Sequence, residues 1–155
     1  MTLAPLDDVN SKPQYEILII DDNPAEAHIL SECFSTCEGF ESRCSIRMVT
    51  DTRDVIPFLR SPERSAYRPD LFVLDYKMPI DGGLALIELK GYPAYLHIPV
   101  TVLTGSHSPE DICEVYRRGA NCCYHKPSNL DGYRELAKLI LHHWLLRICR
   151  PSSCD

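Results

Sequence analysis

Five polar residues follow short apolar runs, at points where the chain leaves a predicted strand. They are Asp21, Asp22, Asp75, Thr104 and Lys126. Carboxylates that lie close together repel by about 4 kcal/mol per pair at an intermediate dielectric, unless protons or a cation neutralise them. Oxygen-only ligands on a loop favour a hard divalent cation, and Mg²⁺ needs few protein ligands because it keeps several waters. The three aspartates therefore predict an Mg²⁺ site.

An aspartate beside such a cation can also react. If one oxygen of Asp75 stays free, it can attack a phosphoryl group and form an acyl phosphate. Mg²⁺ and the Lys126 ammonium would neutralise the transferring oxygens, and the Thr104 hydroxyl would donate one hydrogen bond. Each residue alone also has a purely structural explanation. An acidic pair after a strand, for example, commonly forms a turn and a helix cap. Their convergence on one edge of one sheet favours the chemical interpretation.

The elements that must position these residues alternate along the chain. Runs of β-branched and aliphatic residues predict five strands, at 16–20, 45–49, 71–75, 98–104 and 121–125. Helical periodicity predicts five helices, one from Pro24 to just before Gly39 and the others at 51–60, 84–90, 108–119 and roughly 130–148. Pro57 is expected to kink the second helix because it lacks an N–H group.

This alternation predicts an α/β fold, a doubly wound five-stranded parallel sheet with helices on both faces. The flavodoxin-like strand order 2-1-3-4-5 accommodates five such units, and functional groups gather beyond the carboxyl ends of the strands. Asn23 and Glu26 predict a capping box at the start of the first helix, and Ser108 is the predicted cap of the fourth.

The composition bounds the class of protein. The 155 residues fit one domain at 15–148, with an N-terminal tail at 1–14 and a C-terminal tail at 149–155. A formal net charge of −6 argues against a nucleic-acid-binding protein. No apolar run is long enough for a transmembrane helix, and the first residues lack the features of a signal peptide. We therefore expect a soluble, cytoplasmic protein that binds neither nucleic acid nor a membrane.

The eight cysteines are the unusual feature of the composition. No pair has CxxC spacing, and no set of cysteines and histidines has the spacing of a zinc site. We predict that most of them are small buried apolar residues. Cys149 and Cys154, in the polar C-terminal tail, are the expected exceptions.

Four segments together resemble the receiver domain of two-component response regulators, a CheY-like domain. They are ILIIDDNPAE, LFVLDYKMPIDGG, PVTVLTGS and YHKP, and the resemblance extends over about residues 15–148. Its strongest part is the acceptor strand, with Met78 and Pro79 three and four residues after Asp75 and Gly83 eight residues after it. The Asn-Pro after the acidic pair and the tryptophan near the end of the last helix resemble the single-domain regulators that partner phytochrome kinases.

The resemblance implies a role for each acidic residue. Asp75 would accept a phosphoryl group from the phosphohistidine of a sensor histidine kinase, for which the narrower resemblance points to a bacteriophytochrome. Asp21, Asp22 and Asp75 would hold Mg²⁺, together with the backbone carbonyl of Lys77. The chain would then be a phosphoacceptor signalling protein and not an enzyme, apart from self-catalysed phosphotransfer and autodephosphorylation.

The remaining residues would stabilise and report the phosphoryl group. Lys126 would bind its oxygens, and Thr104 would move toward it and shift the loop that follows strand 4. Gly105 would leave room for the phosphoryl group and for an attacking water. The family's switch usually has an aromatic residue three positions before the lysine, where this chain has Cys123. Tyr124 cannot replace it, because successive side chains of a strand point to opposite faces.

Three other functions stay open at this stage. An aspartyl-phosphate hydrolase needs a second acid two residues after its nucleophile, where this chain has Lys77. The Lys77 ammonium is either solvated or paired with an acid or with the phosphoryl group. A flavin carrier needs a loop rich in hydroxyls and glycine after strand 1, where the acidic DDNPAE stands. The third alternative is an interaction module that works without phosphorylation.

The last helix offers a surface through which a domain without an effector could signal. Its apolar residues extend over more than the roughly 100° of arc that packing on a sheet requires. This excess predicts a homodimer through Leu141, Trp144, Leu145 and Ile148. The alternative is that the fourth helix and the C-terminal tail cover this face.

Overall fold

The computed structural model describes residues 15–62, 67–76 and 81–146. Its strands are β1 (Tyr15–Ile20), β2 (Cys44–Val49), β3 (Leu71–Asp75), β4 (Val100–Thr104) and β5 (Cys122–His125). Its helices are α1 (Pro24–Ser35), α2 (Val55–Arg60), α3 (Asp81–Gly91), α4 (Pro109–Arg117) and α5 (Leu130–Leu141). All strand pairs are parallel, in the order β2-β1-β3-β4-β5. The predicted doubly wound α/β fold and its strand order are confirmed.

The two faces of the sheet form two separate cores. In β1, Ile17 and Ile19 pack against α1 and α5, whereas Leu18 and Ile20 face α2, α3 and α4. All four side chains are no more than 1% exposed. A strand that is apolar on both faces suits the centre of a parallel sheet. Burial on both faces fixes the register of β1, and with it the position of the residues that follow Ile20.

The second predicted helix is divided in two. Thr52–Asp54 forms a 3₁₀ turn, and α2 begins at Val55. Pro57 is therefore the third residue of α2, where backbone N–H groups lack helical partners in any case. The expected kink inside one continuous helix is wrong, because the chain starts a new helix just before the proline instead.

Two other boundaries differ from the prediction. Strand β4 begins at Val100 and not at residue 98, and the preceding Pro99 has no N–H group for the strand ladder. The last helix is α-helical to Leu141 and continues as a π-helical turn, His142–Leu146. The rest of its predicted length lies outside the described residues. Within the part of the chain that the structure describes, no helix has the length and apolar character needed to cross a membrane.

The predicted dimer surface is corrected by the packing of α5. Leu141 is 0% exposed and Leu145 is 3% exposed, because both pack into the core that α5 shares with α1. These two residues are therefore not available to a second copy of the chain. Trp144 is partly buried, and its ring lies edge-on to the imidazole of His143 at a centroid distance of 4.5 Å. Ile148 lies outside the described residues.

The cysteines divide by location. Cys33 on α1 and Cys37 just after this helix are buried, and Cys44, Cys122 and Cys123 are partly buried, which agrees with the expectation of small apolar residues. Cys113 on α4 is exposed, so the expectation is wrong there. Cys149 and Cys154 lie outside the described residues, as do both predicted tails.

Candidate functional site

The polar residues predicted to converge do lie at one edge of the sheet. Asp21 follows β1 directly, Asp75 and Thr104 end β3 and β4, and Lys126 follows β5. The parallel register places Asp75 beside Leu103 on β4, which immediately precedes Thr104. Because all these strands run in one direction, their carboxyl ends meet, and the side chains meet with them.

The three aspartates form a compact cluster. Oxygens of Asp21, Asp22 and Asp75 lie within 4.8 Å of one another. Asp21 and Asp75 are each 7% exposed, whereas Asp22 faces solvent. One oxygen of Asp21 accepts a hydrogen bond of 2.9 Å from the backbone N–H of Asn23, which fixes the carboxyl group at the end of β1.

The electrostatics of the cluster fit a divalent cation. Burial, followed by the neighbouring charges of Asp75 and Glu26, raises the pKa of Asp21 from 3.8 to about 7, against the opposing hydrogen bond from Asn23. Both side-chain oxygens of Asp75 are buried; Oδ1 contacts Lys126, whereas Oδ2 has no hydrogen-bond donor among the described residues. Buried oxygens without donors are costly unless a cation or another ligand approaches them. The donor set, oxygen only, is the one that Mg²⁺ and similar ions prefer.

Lys126 is the cation beside these acids. Its Nζ lies 2.8 Å from Oδ1 of Asp75 and donates a hydrogen bond of 2.9 Å to Oε2 of Glu26. Burial by itself would lower the pKa of Lys126, but the two carboxylates outweigh it and raise this pKa well above its usual value. Lys126 is therefore held charged at the edge of the acidic cluster.

Glu26 is the site residue that the sequence interpretation missed. Asn23 does cap α1, accepting from the N–H groups of Ala25 and Glu26. The Glu26 carboxylate does not complete a capping box and instead bonds to Lys126, 100 positions away. Its place in the first turn of α1, directly after the acidic pair, was the available signal, because that turn must lie at the same sheet edge.

Thr104 is linked by hydrogen bonds to the start of α4. Its hydroxyl oxygen accepts from the Ser106 N–H at 3.1 Å. The Ser106 hydroxyl donates to Asp111 at 2.6 Å and accepts from the Ser108 N–H at 3.1 Å. Ser108 caps α4 as predicted. Any displacement of Thr104 therefore acts on the first turn of α4 through this loop.

Space is available beside Thr104. A cavity of about 460 Å³ opens between the end of β4 and the start of α4, and its lining includes Tyr76, Gly105, Arg118 and Lys126. A Cβ atom at Gly105 would meet no atom within 4 Å, so the sequence expectation of room at this position agrees with the geometry.

A cysteine occupies the position, three residues before Lys126, where the family's switch usually has an aromatic residue. Cys123 packs against the core on the α2, α3 and α4 face, and its backbone N–H donates to the Tyr116 hydroxyl at 3.1 Å. Tyr124 packs against the opposite core. The two side chains lie on opposite faces, as the alternation of a strand requires, so Tyr124 does not replace an aromatic residue at position 123.

Lys77 lies outside the described residues, so the structure does not test its predicted carbonyl ligand. The other predicted site residues, Asp21, Asp22, Asp75, Thr104 and Lys126, are placed together as described above.

Comparisons with known proteins agree with this architecture. Residues 17–138 match the family model of the response regulator receiver domain. Response regulator Rcp1 of Synechocystis sp. is 30% identical over 146 residues, which cover 92% of this chain and 97% of that protein. The crystal structure of the phosphorylated cyanobacterial phytochrome response regulator RcpA superposes with a TM-score of 0.79 at 30% identity, covering 90% of this chain and 99% of that one. The Mn²⁺-bound form of Rcp1 gives a TM-score of 0.76 at 29% identity, with coverages of 89% and 99%.

A parallel sheet of order 2-1-3-4-5 with an acidic cluster and a lysine at its carboxyl edge defines a signalling domain of two-component systems. The chain belongs to the response regulator receiver domain family.

Proposed function

We propose that Asp75 is the phosphoacceptor of this regulator and that its donor is the phosphohistidine of a sensor histidine kinase. One observation carries the proposal. The Asp75 carboxylate is buried at the carboxyl end of β3, its Oδ1 lies 2.8 Å from Nζ of Lys126, and its Oδ2 has no hydrogen-bond donor among the described residues. An oxygen in this state keeps its lone pairs for a nucleophilic attack.

The transfer is a displacement at phosphorus. An oxygen of Asp75 forms a bond to the phosphorus atom as the bond from phosphorus to the histidine nitrogen breaks. The electron pair of that bond returns to the imidazole, and the product is an acyl phosphate. Lys126, which lies 2.8 Å from Asp75, would stabilise the negative charge on the phosphoryl oxygens. Thr104 would donate its hydroxyl proton to one of these oxygens.

Asp21, Asp22 and Asp75 would hold the Mg²⁺ ion, with the Lys77 carbonyl as the predicted fourth ligand. The ion would supply neutralising charge on the phosphoryl oxygens. Mg²⁺ is favoured because the cluster offers few protein ligands, all of them hard oxygens, and leaves positions for water.

A phytochrome-type kinase is the partner that the relatives favour. RcpA, at 30% identity, is named as a phytochrome response regulator. The function of this domain, at residues 15–148, would then be signalling, with its own dephosphorylation as the sole turnover. The cytoplasmic location and the lack of nucleic-acid binding stay predictions from composition.

The homodimer also stays a prediction, but with different contact residues on α5. Leu141 and Leu145 pack inside the domain, whereas Leu130 and Leu139 on α5 are 50% and 59% exposed. A second copy of the chain would have to use such outward residues, together with Trp144. Light scattering coupled to size exclusion tests this, and a monomer at tens of micromolar would contradict it.

The phosphoacceptor is tested by intact mass after incubation with acetyl phosphate, with Mg²⁺ or with EDTA. We expect one added phosphoryl group that requires Mg²⁺ and is lost in Asp75→Asn. The matched control is Asp131→Asn, because Asp131 is an exposed acid on α5 whose side chain is 91% accessible.

An adduct that persists in Asp75→Asn would place the acceptor elsewhere and refute the proposal. Rapid release of phosphate from many equivalents of acetyl phosphate would favour the hydrolase alternative. A slow release, limited by loss of the adduct, is the result expected of a signalling protein.

A further inference from the structure

Lys126 lies between two carboxylates from opposite sides of the site. Asp75 belongs to the end of β3, and Glu26 belongs to the first turn of α1. The Nζ to oxygen distances are almost equal, 2.8 Å to Asp75 and 2.9 Å to Glu26. The Lys126 side chain is 16% exposed, so water competes little for its ammonium.

Both contacts are close ionic ones. The Lys126 ammonium donates a hydrogen bond to Glu26 and forms an ion pair with Oδ1 of Asp75. Both carboxylates raise the pKa of Lys126. Glu26 therefore takes up part of the ammonium's charge and hydrogen-bonding capacity, away from the residue to which a phosphoryl group would be attached.

We propose that Glu26 is a positioning residue that competes with the phosphoryl group on Asp75 for the Lys126 ammonium, and so limits how strongly that group is held. This inference rests on the proposed phosphoacceptor function. In this role Glu26 lowers the stability of the phosphorylated state.

Charge and distance give the direction of the effect. Because the Glu26 and Asp75 oxygens contact the same nitrogen, they are no more than about 6 Å apart, a distance at which two charges still interact strongly in a partly buried site. A phosphoryl group brings further negative charge to Asp75. With Glu26 ionised, Lys126 must divide its charge between the two. Without that charge, Lys126 is free to turn its hydrogen bonds toward the phosphoryl oxygens.

A purely orienting role for Glu26 would act in the opposite direction. If the carboxylate held Lys126 in the geometry that binds the phosphoryl group, its removal would weaken binding. Because Lys126 contacts Glu26 as closely as Asp75, part of its charge is already committed to Glu26, which favours competition over orientation.

The test measures the affinity for beryllofluoride, a phosphoryl mimic, at saturating Mg²⁺ by calorimetry. The variant Glu26→Gln keeps an oxygen that can accept from Lys126 but removes the charge. We expect beryllofluoride to bind about tenfold more tightly to it than to the unaltered protein. Glu26→Asp keeps the charge and should stay closer to the unaltered protein.

The matched control is Glu32→Gln, because Glu32 is an exposed acid on the same helix and its loss changes the net charge equally. We expect no change in this variant. A second readout is the lifetime of the acyl phosphate formed with acetyl phosphate, which should lengthen in Glu26→Gln. Urea unfolding checks that both variants fold.

The possible failures are distinguishable. Unchanged or weaker beryllofluoride binding by Glu26→Gln, beside normal binding by the unaltered protein, overturns the competition alone. An equal gain in Glu32→Gln also overturns it, because the effect would then be one of net charge. Absence of Mg²⁺-dependent binding in the unaltered protein overturns both this inference and the proposed function.

Discussion

Replacing Asp21 with asparagine should stabilise the metal-free protein at alkaline pH. Asp21 is 7% exposed, and burial, with the charges of Asp75 and Glu26, raises its pKa from 3.8 to about 7. Between these two pH values the folded protein holds a proton that the unfolded chain has released. The stability associated with Asp21 is therefore full below about pH 3.8 and is lost as the pH rises through about 7.

The size of the effect follows from the same shift. A change of this size corresponds to about 4 kcal/mol at full strength. The cluster opens to water at the exposed Asp22, and screening reduces the expected value to about 2 kcal/mol. Asparagine carries no charge to desolvate, and its side-chain oxygen can still accept from the Asn23 N–H that now bonds to Asp21.

The assay is urea unfolding in EDTA at about pH 5.5 and about pH 8. We expect Asp21→Asn to be more stable than the unaltered protein by about 2 kcal/mol at the higher pH, with a smaller difference at the lower one. Mg²⁺ should stabilise the unaltered protein at the higher pH and have little effect on the variant. Asp131→Asn is the control for removing an exposed acid. Equal or lower stability of Asp21→Asn in EDTA at the higher pH would refute the reasoning.

Four further variants test the packing and the loop. Ile140→Ala should lower the free energy of unfolding by about 2–5 kcal/mol because Ile140 is 0% exposed. Leu139→Ala, at a position that is 59% exposed, should change it by no more than about 0.5 kcal/mol. Urea unfolding of both variants tests whether α5 faces the core as described. Asn121→Ala should cost about 1–2 kcal/mol in the same assay, because the Asn121 side-chain oxygen accepts from the partly buried Lys90 ammonium at 2.7 Å, and an unchanged midpoint would contradict this. Ser106→Ala should speed amide hydrogen exchange in the loop after β4 by roughly fivefold, since it removes the Ser106 hydroxyl, and unchanged protection would show that the hydroxyl does not hold this loop.

The sheet was predictable because its signals are local. β1 and β3 are continuous apolar runs, and such runs suit central strands whatever surrounds them. The strand-end residues follow from the strands, so Asp21, Asp75 and Lys126 can be grouped from the sequence alone.

The sequence did not reveal which residues from distant parts of the chain contact each other. Glu26 had a complete local explanation as half of a capping box, so nothing in its neighbourhood pointed to Lys126. The sequence predicts Leu141 and Leu145 in a dimer contact because helical periodicity shows the width of an apolar arc but not what covers it. In the structure α1 lies against that arc, and the π-helical turn carries Leu145 back into the core.

Trp144, in the π-helical turn, is the single tryptophan of the chain. It follows α5, which starts near the acidic cluster and runs about 20 Å before reaching it. Its fluorescence therefore originates far from Asp75 and cannot respond to a bound phosphoryl group by direct contact. A change in emission on addition of beryllofluoride would report a rearrangement transmitted through the domain. If calorimetry shows binding but the Trp144 emission does not change, the response is confined to the site and its nearest loops. The native chain thus carries its own long-range optical reporter.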